Sequence, residues 1–496
     1  MSPIVGSART MRFSVLHVSD LHRDLRDEIN NKWLLDSLEN DFNQFEKQTP
    51  KVTRPSVSIV SGDLVYGVKL GAADASTELK RQYAQAEEFL VGLADRFLDG
   101  KRERIVILPG NHDVSYEDVM ASAQKIEIPA ELDKKADLVA ELNRPNSQLR
   151  WSWRELCFYR IVDFARYQNR LHHFATTYES FYQGQRAFPL VPEQQFGVFD
   201  FPDLGFCVAA LNSCFDNDPL RRAGAFNPAA LTEACRALRQ STRAGWLVAA
   251  AWHHNLVGGP TLDDYLDTEF LQLLIDAGVS LGFHGHQHLP ECFDERYRIG
   301  PSPRKMTIIS ASTLCSEPGN LRPGVPRSYN VIELDTDEWR GRVHQRQMVN
   351  MLFNLPVWGP GHFNSTNNSF FDFELCKPLL TRPAQLNAQL ALDQADKFLG
   401  CRQWGDALDV LDRVKDAPLA RPLLLKALTE LDNPRRTITM LWPPQTAAEA
   451  VTVGGAILES GTREEGEAFV RLEIVSGSSD ASVRDISRRI NERRLG

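Results

Sequence analysis

An α/β core over residues 12–350 is what the hydropathy of this chain predicts, on three observations. Short apolar runs recur along it, mostly continuous for five or six residues rather than alternating with polar positions. Helix-periodic stretches lie between several of the runs, and polar motifs stand where runs stop. Continuous runs of that length suit strands buried on both faces, and strands interleaved with helices build an α/β sheet.

The runs are 13–18, 57–60, 105–108, 206–211, 246–251, 279–283, 306–310 and 329–334. Between the second and third, Gln82 to Phe97 carries Ala84, Ala86, Phe89, Leu90, Leu93 and Phe97 at helical spacing, which predicts an amphipathic helix. The interval from about 114 to 200 breaks this rhythm and is rich in aromatics: Trp151, Trp153, Phe158, Tyr159, Tyr167, Phe174, Tyr178, Phe181 and Tyr182. It reads as a packed helical insertion, since aromatics serve cores more often than stacking platforms. Residues 351–383, with Trp358-Gly359-Pro360-Gly361 and the polar run 364–369, lose periodicity and read as a linker. From 384 to 496 the pattern is all helical, and residues 403–408 look like one hairpin of a tetratricopeptide-type repeat. One legible unit suits a small helical bundle as well as a solenoid that binds a protein partner or a second copy of the chain.

Bulk properties bound the class. A chain of 496 residues favours two or more domains. With 43% hydrophobic and 24% charged residues it has the composition of a soluble globular protein. A formal net charge of −9 excludes a globally basic nucleic-acid binder but leaves room for a local groove. No apolar stretch approaches the ~18 residues of a membrane span, so no membrane association is expected. The start, MSPIVGSARTMRFSVLHV, reads as a first strand rather than a signal peptide. The eight cysteines are scattered without a CxxC pair, as in reduced thiols of a cytoplasmic protein.

The chemistry is carried by five motifs at run ends: Asp20-Leu21-His22, Gly62-Asp63, Gly110-Asn111-His112-Asp113, His253-His254 and Gly285-His286-Gln287-His288. In open α/β sheets, segments distant in sequence converge outside the carboxyl ends of the strands. Asp20 and His22, one residue apart in extended chain, would share a side and so a cation. Asn111 offers a neutral amide oxygen, His112 can give or take a proton, and Asp113 can orient that imidazole. Each motif alone is common; all five in this order are not.

The set resembles the calcineurin-like metallophosphoesterase family, with its pattern DxH, GDxx, GNH[DE], a lone His and GHxH, over roughly residues 12 to 345. That resemblance implies a two-sheet β-sandwich flanked by helices. It also implies one metal held by Asp20, His22, Asp63 and His288, and a second held by Asp63, Asn111, His253 and His286. His112 would be the proton donor, oriented by Asp113. His254 would lie behind the ligands or face substrate, and His284 would be structural. Two divalent cations ~3.5–4 Å apart would neutralise a phosphoester and acidify the attacking water; oxygen and nitrogen ligands without thiolates suit Mn²⁺, Fe or Zn²⁺. A phosphodiesterase is the first expectation. The alternatives are a DNA or RNA nuclease acting with a partner through the helical tail, to which Arg322, Arg327, Arg342 and Arg346 would lend a basic surface, and an interaction subunit or scaffold retaining a phosphoesterase module. Asn212, after the 206–211 run, is expected to touch substrate, and Arg221-Arg222 stand on a loop suited to meeting a phosphate.

Overall fold

The computed structural model describes residues 12–495 except 25–28, 70, 73, 143–146, 258–263, 299–303, 351–354, 364–367, 378–382, 416 and 418. Residues 1–11, 364–367 and parts of the other expected loops therefore lie outside the described residues. The chain forms two compact units, Met1–Leu379 and Leu380–Gly496.

In the first unit the strands are, in order, β1 (Arg12–Val18), β2 (Val57–Ser61), β3 (Ile105–Leu108), β4 (Ala123–Ile126), β5 (Leu149–Ser152), β6 (Cys157–Ile161), β7 (Phe196–Phe201), β8 (Phe206–Leu211), β9 (Leu247–Ala251), β10 (Leu281–His284), β11 (Glu291–Arg296), β12 (Lys305–Ser310), β13 (Ser328–Asp335), β14 (Arg340–Met348), β15 (Trp358–Pro360) and β16 (Phe370–Glu374). All eight apolar runs are strands. Two main sheets result, ordered β15-β14-β13-β1-β2-β3, with β16 also on β14, and β11-β12-β10-β9-β8-β7. The first is parallel at its β1-β2-β3 end and antiparallel from β13 outward, and the second has a parallel centre of β8, β9, β10 and β12 between antiparallel edges β7 and β11.

Period-2 alternation shows why these runs are apolar throughout. In β8, Phe206, Val208 and Ala210 join the core shared with β1 and β2, while Cys207, Ala209 and Leu211 join a second core. That second core lies under the helices Pro228–Leu238 and Glu269–Asp276. In β9, Leu247, Ala249 and Ala251 face the first core and Val248 and Ala250 the second. Both faces are dry, so neither can be polar. The first helix of the β2–β3 crossover, α1 by our numbering (Ala75–Phe97), begins seven residues before the expected Gln82, because Leu79 and Tyr83 extend its buried stripe. Ala84 lies off that stripe and is exposed.

Three expectations need correction. The 114–200 insertion is not purely helical: β4, β6 and β5 form a separate antiparallel sheet. Phe158 and Tyr159 are buried in that sheet, whereas Phe174, Tyr178, Phe181 and Tyr182 belong to the main core, and Trp153 is 81% exposed. The 351–383 stretch is not only a linker, because β15 and β16 pair with β14 and cover backbone groups that an edge strand would leave open. Short strands of mixed polarity such as Phe370–Glu374 carry no strong period, which hid them. The basic surface offered to a nuclease also recedes. Arg327 donates to the Ser316 carbonyl, Arg342 pairs with Asp372, and Arg346 is buried against Asp41; Arg322 alone of the four is exposed.

The second unit is helical and has its own core, with Leu408, Leu411, Leu424, Leu428, Ile457 and Phe469 among its buried residues. Pro383–Gly400 packs on Trp404–Asp412, and residues 404–408 lie within the second of these two helices. Among the described residues no helix is long and apolar enough to cross a membrane.

The insertion is tied to the β8–β9 connection by buried charge. Arg150 of β5 is 2% exposed; its Nε donates to Asp218 Oδ2 (2.7 Å) and its Nη2 to Asp216 Oδ1 (2.9 Å). The Tyr167 hydroxyl also donates to Asp218 (2.9 Å), and Arg170 Nη2 to the Cys214 carbonyl (3.1 Å). Breaking such a pair from one side strands a buried charge, which costs ~3–5 kcal/mol. Arg150→Met is therefore expected to destabilise the first unit by about that amount in denaturant unfolding. A loss under about 1 kcal/mol would match an exposed pair instead.

Candidate metal centre

Parallel register brings the motifs level. Val18 lies opposite Val60, Ser61 opposite Leu108, and Ala251 opposite Phe283, so the chain leaves each sheet at the same height. The turns after β1 and β2 then run together: the Asp20 amide donates to Gly62 O (3.1 Å) and the His22 amide to Asp63 O (3.0 Å). Each carboxylate next takes an amide from a third motif. His112 N–H donates to Asp63 Oδ1 (2.8 Å), and His286 N–H to Asp20 Oδ2 (3.1 Å).

The remaining carboxylate oxygens face imidazoles. Asp20 Oδ1 is 3.2 Å from His288 Nε2 and 3.7 Å from His22 Nε2. Asp63 Oδ2 is 3.3 Å from His253 Nε2 and 3.7 Å from His22 Nε2. On the far side, Asn111 Oδ1 lies 3.0 Å from His253 Nε2 and 2.9 Å from His286 Nδ1. Two sets thus adjoin through Asp63 and His22: Asp20, His22 and His288, and Asp63, Asn111, His253 and His286. Three groups built from Asp20, His22, Asp63, His112, His253 and His288 each bring potential ligand atoms within 4.8 Å of one another.

The ring tautomers suit cations. His253 Nδ1 donates to Ser61 O (2.8 Å) and His288 Nδ1 to Asn320 O (2.9 Å), so each neutral ring turns its Nε2 lone pair inward. There the lone pairs meet carboxylate and amide oxygens and each other: His22 and His288 Nε2 are 3.2 Å apart, and His286 Nδ1 and His253 Nε2 are 3.3 Å apart. Asp20 Oδ1 is buried without a hydrogen-bond donor. Acceptors facing acceptors in a dry site repel unless positive charge stands between them. Without a metal the site draws protons: burial opposes a charge on His253, but Asp63 outweighs it and pushes the imidazole up to about 9. In turn, burial opposes ionisation of Asp63, yet the His253 and His112 imidazoles hold its carboxyl well below the usual range.

Backbone strain is concentrated here. Asp20 (φ 52°), His22 (φ 44°), Asp63 (φ 52°), His286 (φ 72°) and His288 (φ 53°) all occupy the left-handed region that non-glycine residues avoid. Such residues cost on the order of 1–3 kcal/mol each and persist where their surroundings overdetermine them; the amide bonds just described do so. Gly62 has φ 96°, and a Cβ on it would lie 2.5 Å from His253 Nδ1. A Cβ on Gly110 would overlap the Asp63 carboxylate. Both positions require glycine for close approach.

His112 is half-buried, with Nδ1 donating to Tyr66 O (2.6 Å) and its ring edge-on to His22 at 4.6 Å. Asp113 does not orient that ring, contrary to expectation. Its carboxylate accepts from the amides of Gly110 (2.8 Å) and Leu64 (3.2 Å) and from the Tyr83 hydroxyl (2.9 Å), joining the second and third motifs. Burial, then the charge of Asp63, pushes the Asp113 carboxyl up to about 7.

Of the two readings of His254, the one behind the ligands fits: the ring is fully buried, with Nδ1 meeting Ser213 Oγ (2.8 Å) and Nε2 meeting the Asn217 amide (3.1 Å). The expectation for Asn212 fails. Asn212 is 3% exposed, with both ends of its amide engaged by Gln195 Oε1 (2.7 Å) and the Cys214 amide (2.8 Å). His284 is buried on the other face of β10, stacked on Trp252, as expected.

Several contributors escaped sequence reasoning. The carbonyls of Ser61, Tyr66 and Asn320 that set the ring tautomers are main-chain atoms and leave no side-chain signal. Ser213 Oγ accepts the amides of both His253 (3.1 Å) and His254 (3.2 Å). Asp264 Oδ2 lies 3.7 Å from His286 Nε2. Tyr83 left a trace, as a hydroxyl on an otherwise apolar helix face must find a partner.

Facing sheets carry paired carboxylates and imidazoles at their carboxyl ends, an arrangement able to hold divalent cations. The family model for calcineurin-like phosphoesterases matches residues 13–290, and the chain belongs to that family. Solved structures with similar architecture include a purple acid phosphatase from yellow lupin (Lupinus luteus), 9% identical with a TM-score of 0.34, the match covering 71% of this chain and 54% of that one. A dimetal phosphatase from Danio rerio is 12% identical with a TM-score of 0.36, covering 68% and 96%. The calcineurin-like phosphoesterase YfkN from Bacillus subtilis is 10% identical with a TM-score of 0.28, covering 74% and 93%. This chain thus spans about half the length of the lupin protein. No curated protein matches it in sequence.

Proposed function

We propose that this chain is a phosphodiesterase using two divalent cations. The observation that carries the proposal is the inward convergence of acceptor atoms from five loops, with imidazole tautomers already set by backbone carbonyls. Asp20, His22 and His288 would hold one ion, Asn111, His253 and His286 the other, and Asp63 would touch both. Donors of this kind suit Mn²⁺, Fe or Zn²⁺. Such ions would neutralise the phosphodiester and acidify the attacking water.

The protein's own groups supply the rest. His112 stands at the same cluster with Nδ1 committed to Tyr66 O, so Nε2 bears a proton only in the imidazolium. Delivering it to the departing oxygen would leave a neutral ring in an unchanged position. The amide bond from His112 to Asp63 Oδ1 keeps this donor in register with the cation-binding carboxylate. Asp113 holds the two loops together from beneath through Gly110 and Leu64.

The test is metal content together with hydrolysis of bis-p-nitrophenyl phosphate, before and after EDTA and with Mn²⁺ or Zn²⁺ restored. Chelation should abolish cleavage and a metal should return it. Protein that binds no metal and cleaves neither monoester nor diester would sink the proposal. A panel with Mn²⁺, comprising cyclic nucleotides, a dinucleotide, single- and double-stranded DNA, RNA and a glycerophosphodiester, separates diesterase from nuclease.

A further inference from the structure

Arg221 and Arg222 are indistinguishable in sequence, and the structure separates them. Arg221 is engaged, with Nη1 2.8 Å from Asp216 Oδ2. Arg222 is exposed and forms no ion pair among the described residues. Its loop is nevertheless firmly held. Asp218 and Arg221 exchange backbone hydrogen bonds (2.8 and 3.0 Å). The Arg222 carbonyl accepts from Asn217 Nδ2 (2.6 Å), and the same amide nitrogen lies 3.1 Å from His254 Nε2. Two residues on, Gly224 packs so closely on His254 that a Cβ would sit 2.6 Å from the His254 Cβ.

That packing aims the loop at the metal centre. The His254 ring lies 4.8 Å from the ring of His286. The Gly224 amide donates to Tyr265 O (3.1 Å), and the neighbouring Asp264 stands beside His286. The charge of Arg222 is felt at Asp264 and at Tyr116, which also feels Asp63. The loop's own carboxylates do not cancel that charge, since Asp216 and Asp218 are neutralised by Arg150 and Arg221. A guanidinium with no ion pair among the described residues, and Asp264 within its field, thus stands on a braced loop beside the site. The scissile phosphodiester would already meet two cations and has little need of a third, whereas a guanidinium matches a further phosphate in bidentate geometry.

We infer that Arg222 binds a second anionic group flanking the scissile phosphodiester, so the substrate class is a phosphodiester bearing another phosphate, as in a 5′-phosphorylated dinucleotide. The inference rests on the phosphodiesterase reading above.

The test compares a thymidine dinucleotide with and without a 5′-terminal phosphate, using wild type, Arg222→Gln and Arg222→Lys with Mn²⁺. Wild type should prefer the phosphorylated form. Arg222→Gln should raise its KM about tenfold, the scale of one charge-assisted contact, with kcat within about twofold. The KM of the unphosphorylated dinucleotide and of bis-p-nitrophenyl phosphate should be unchanged, and Arg222→Lys should recover part of the loss. Calorimetric titration of the phosphorylated dinucleotide in EDTA reads the same contact without turnover and should show weaker binding in Arg222→Gln. Equal effects on both dinucleotides, or none in kinetics and calorimetry, would overturn the Arg222 assignment alone. Wild type that cleaves neither dinucleotide nor bis-p-nitrophenyl phosphate would overturn the phosphodiesterase reading and the assignment with it.

Discussion

Asp63→Ala is expected to lower kcat toward bis-p-nitrophenyl phosphate by at least about 10³-fold, because it removes charge stabilisation from both halves of the centre at once. Asp63 reaches both sets through one oxygen: Oδ2 is 3.3 Å from His253 and 3.7 Å from His22. Its Oδ1 also holds the amide of His112. Alanine therefore removes a shared anionic ligand and loosens the proton donor. Metal content per chain should fall with the activity, while circular dichroism stays that of wild type, because the flanking strands pair independently of this side chain. A variant with a full metal complement and activity within tenfold of wild type would show that Asp63 bridges nothing.

His112→Ala should separate chemistry from metal binding. Losing a general acid costs about 10²–10⁴-fold, and the loss should appear with a dinucleotide, whose leaving alkoxide needs a proton. It should be much smaller with bis-p-nitrophenyl phosphate, whose leaving group departs as a stable anion. Metal content should be unchanged, because the Asn111 amide oxygen, the His253 and His286 nitrogens proposed for the second ion, and the carboxylates remain in place. His112 does lie in one of the clusters with His22 and Asp63, so the measurement discriminates. If His112→Ala loses an ion, or both substrates slow equally, His112 is a ligand and not the acid.

These predictions draw unequally on sequence and structure. The eight core strands were legible because each must be apolar on both faces, and five or six continuous apolar residues leave little other choice. The short edge strands β15 and β16 were not, since a strand that covers an edge can be as polar as a loop. The insertion's aromatics read as helix core, yet Phe158 and Tyr159 serve a small sheet. Helical character in the tail was clear from period alone. One repeat-like hairpin could not show what the remaining helices do.

At the site, the identity of the metal-seeking side chains and their place at strand ends were readable from residue type and spacing, because carboxylate, amide and imidazole are chemistry carried by the residue itself. Orientation was not. Asp113 braces two loops instead of the His112 ring, His254 turns inward to Ser213 and Asn217, and Asn212 spends its amide on Gln195 and the chain. Nothing local distinguishes Arg221 from Arg222; Asp216 does, and only folding brings it alongside. The left-handed backbone at Asp20, His22, Asp63, His286 and His288 is likewise imposed by partners far away in the chain. Ligand type is a local property, whereas tautomer, strain and the choice between neighbouring side chains depend on hydrogen bonds that close over tens to hundreds of residues.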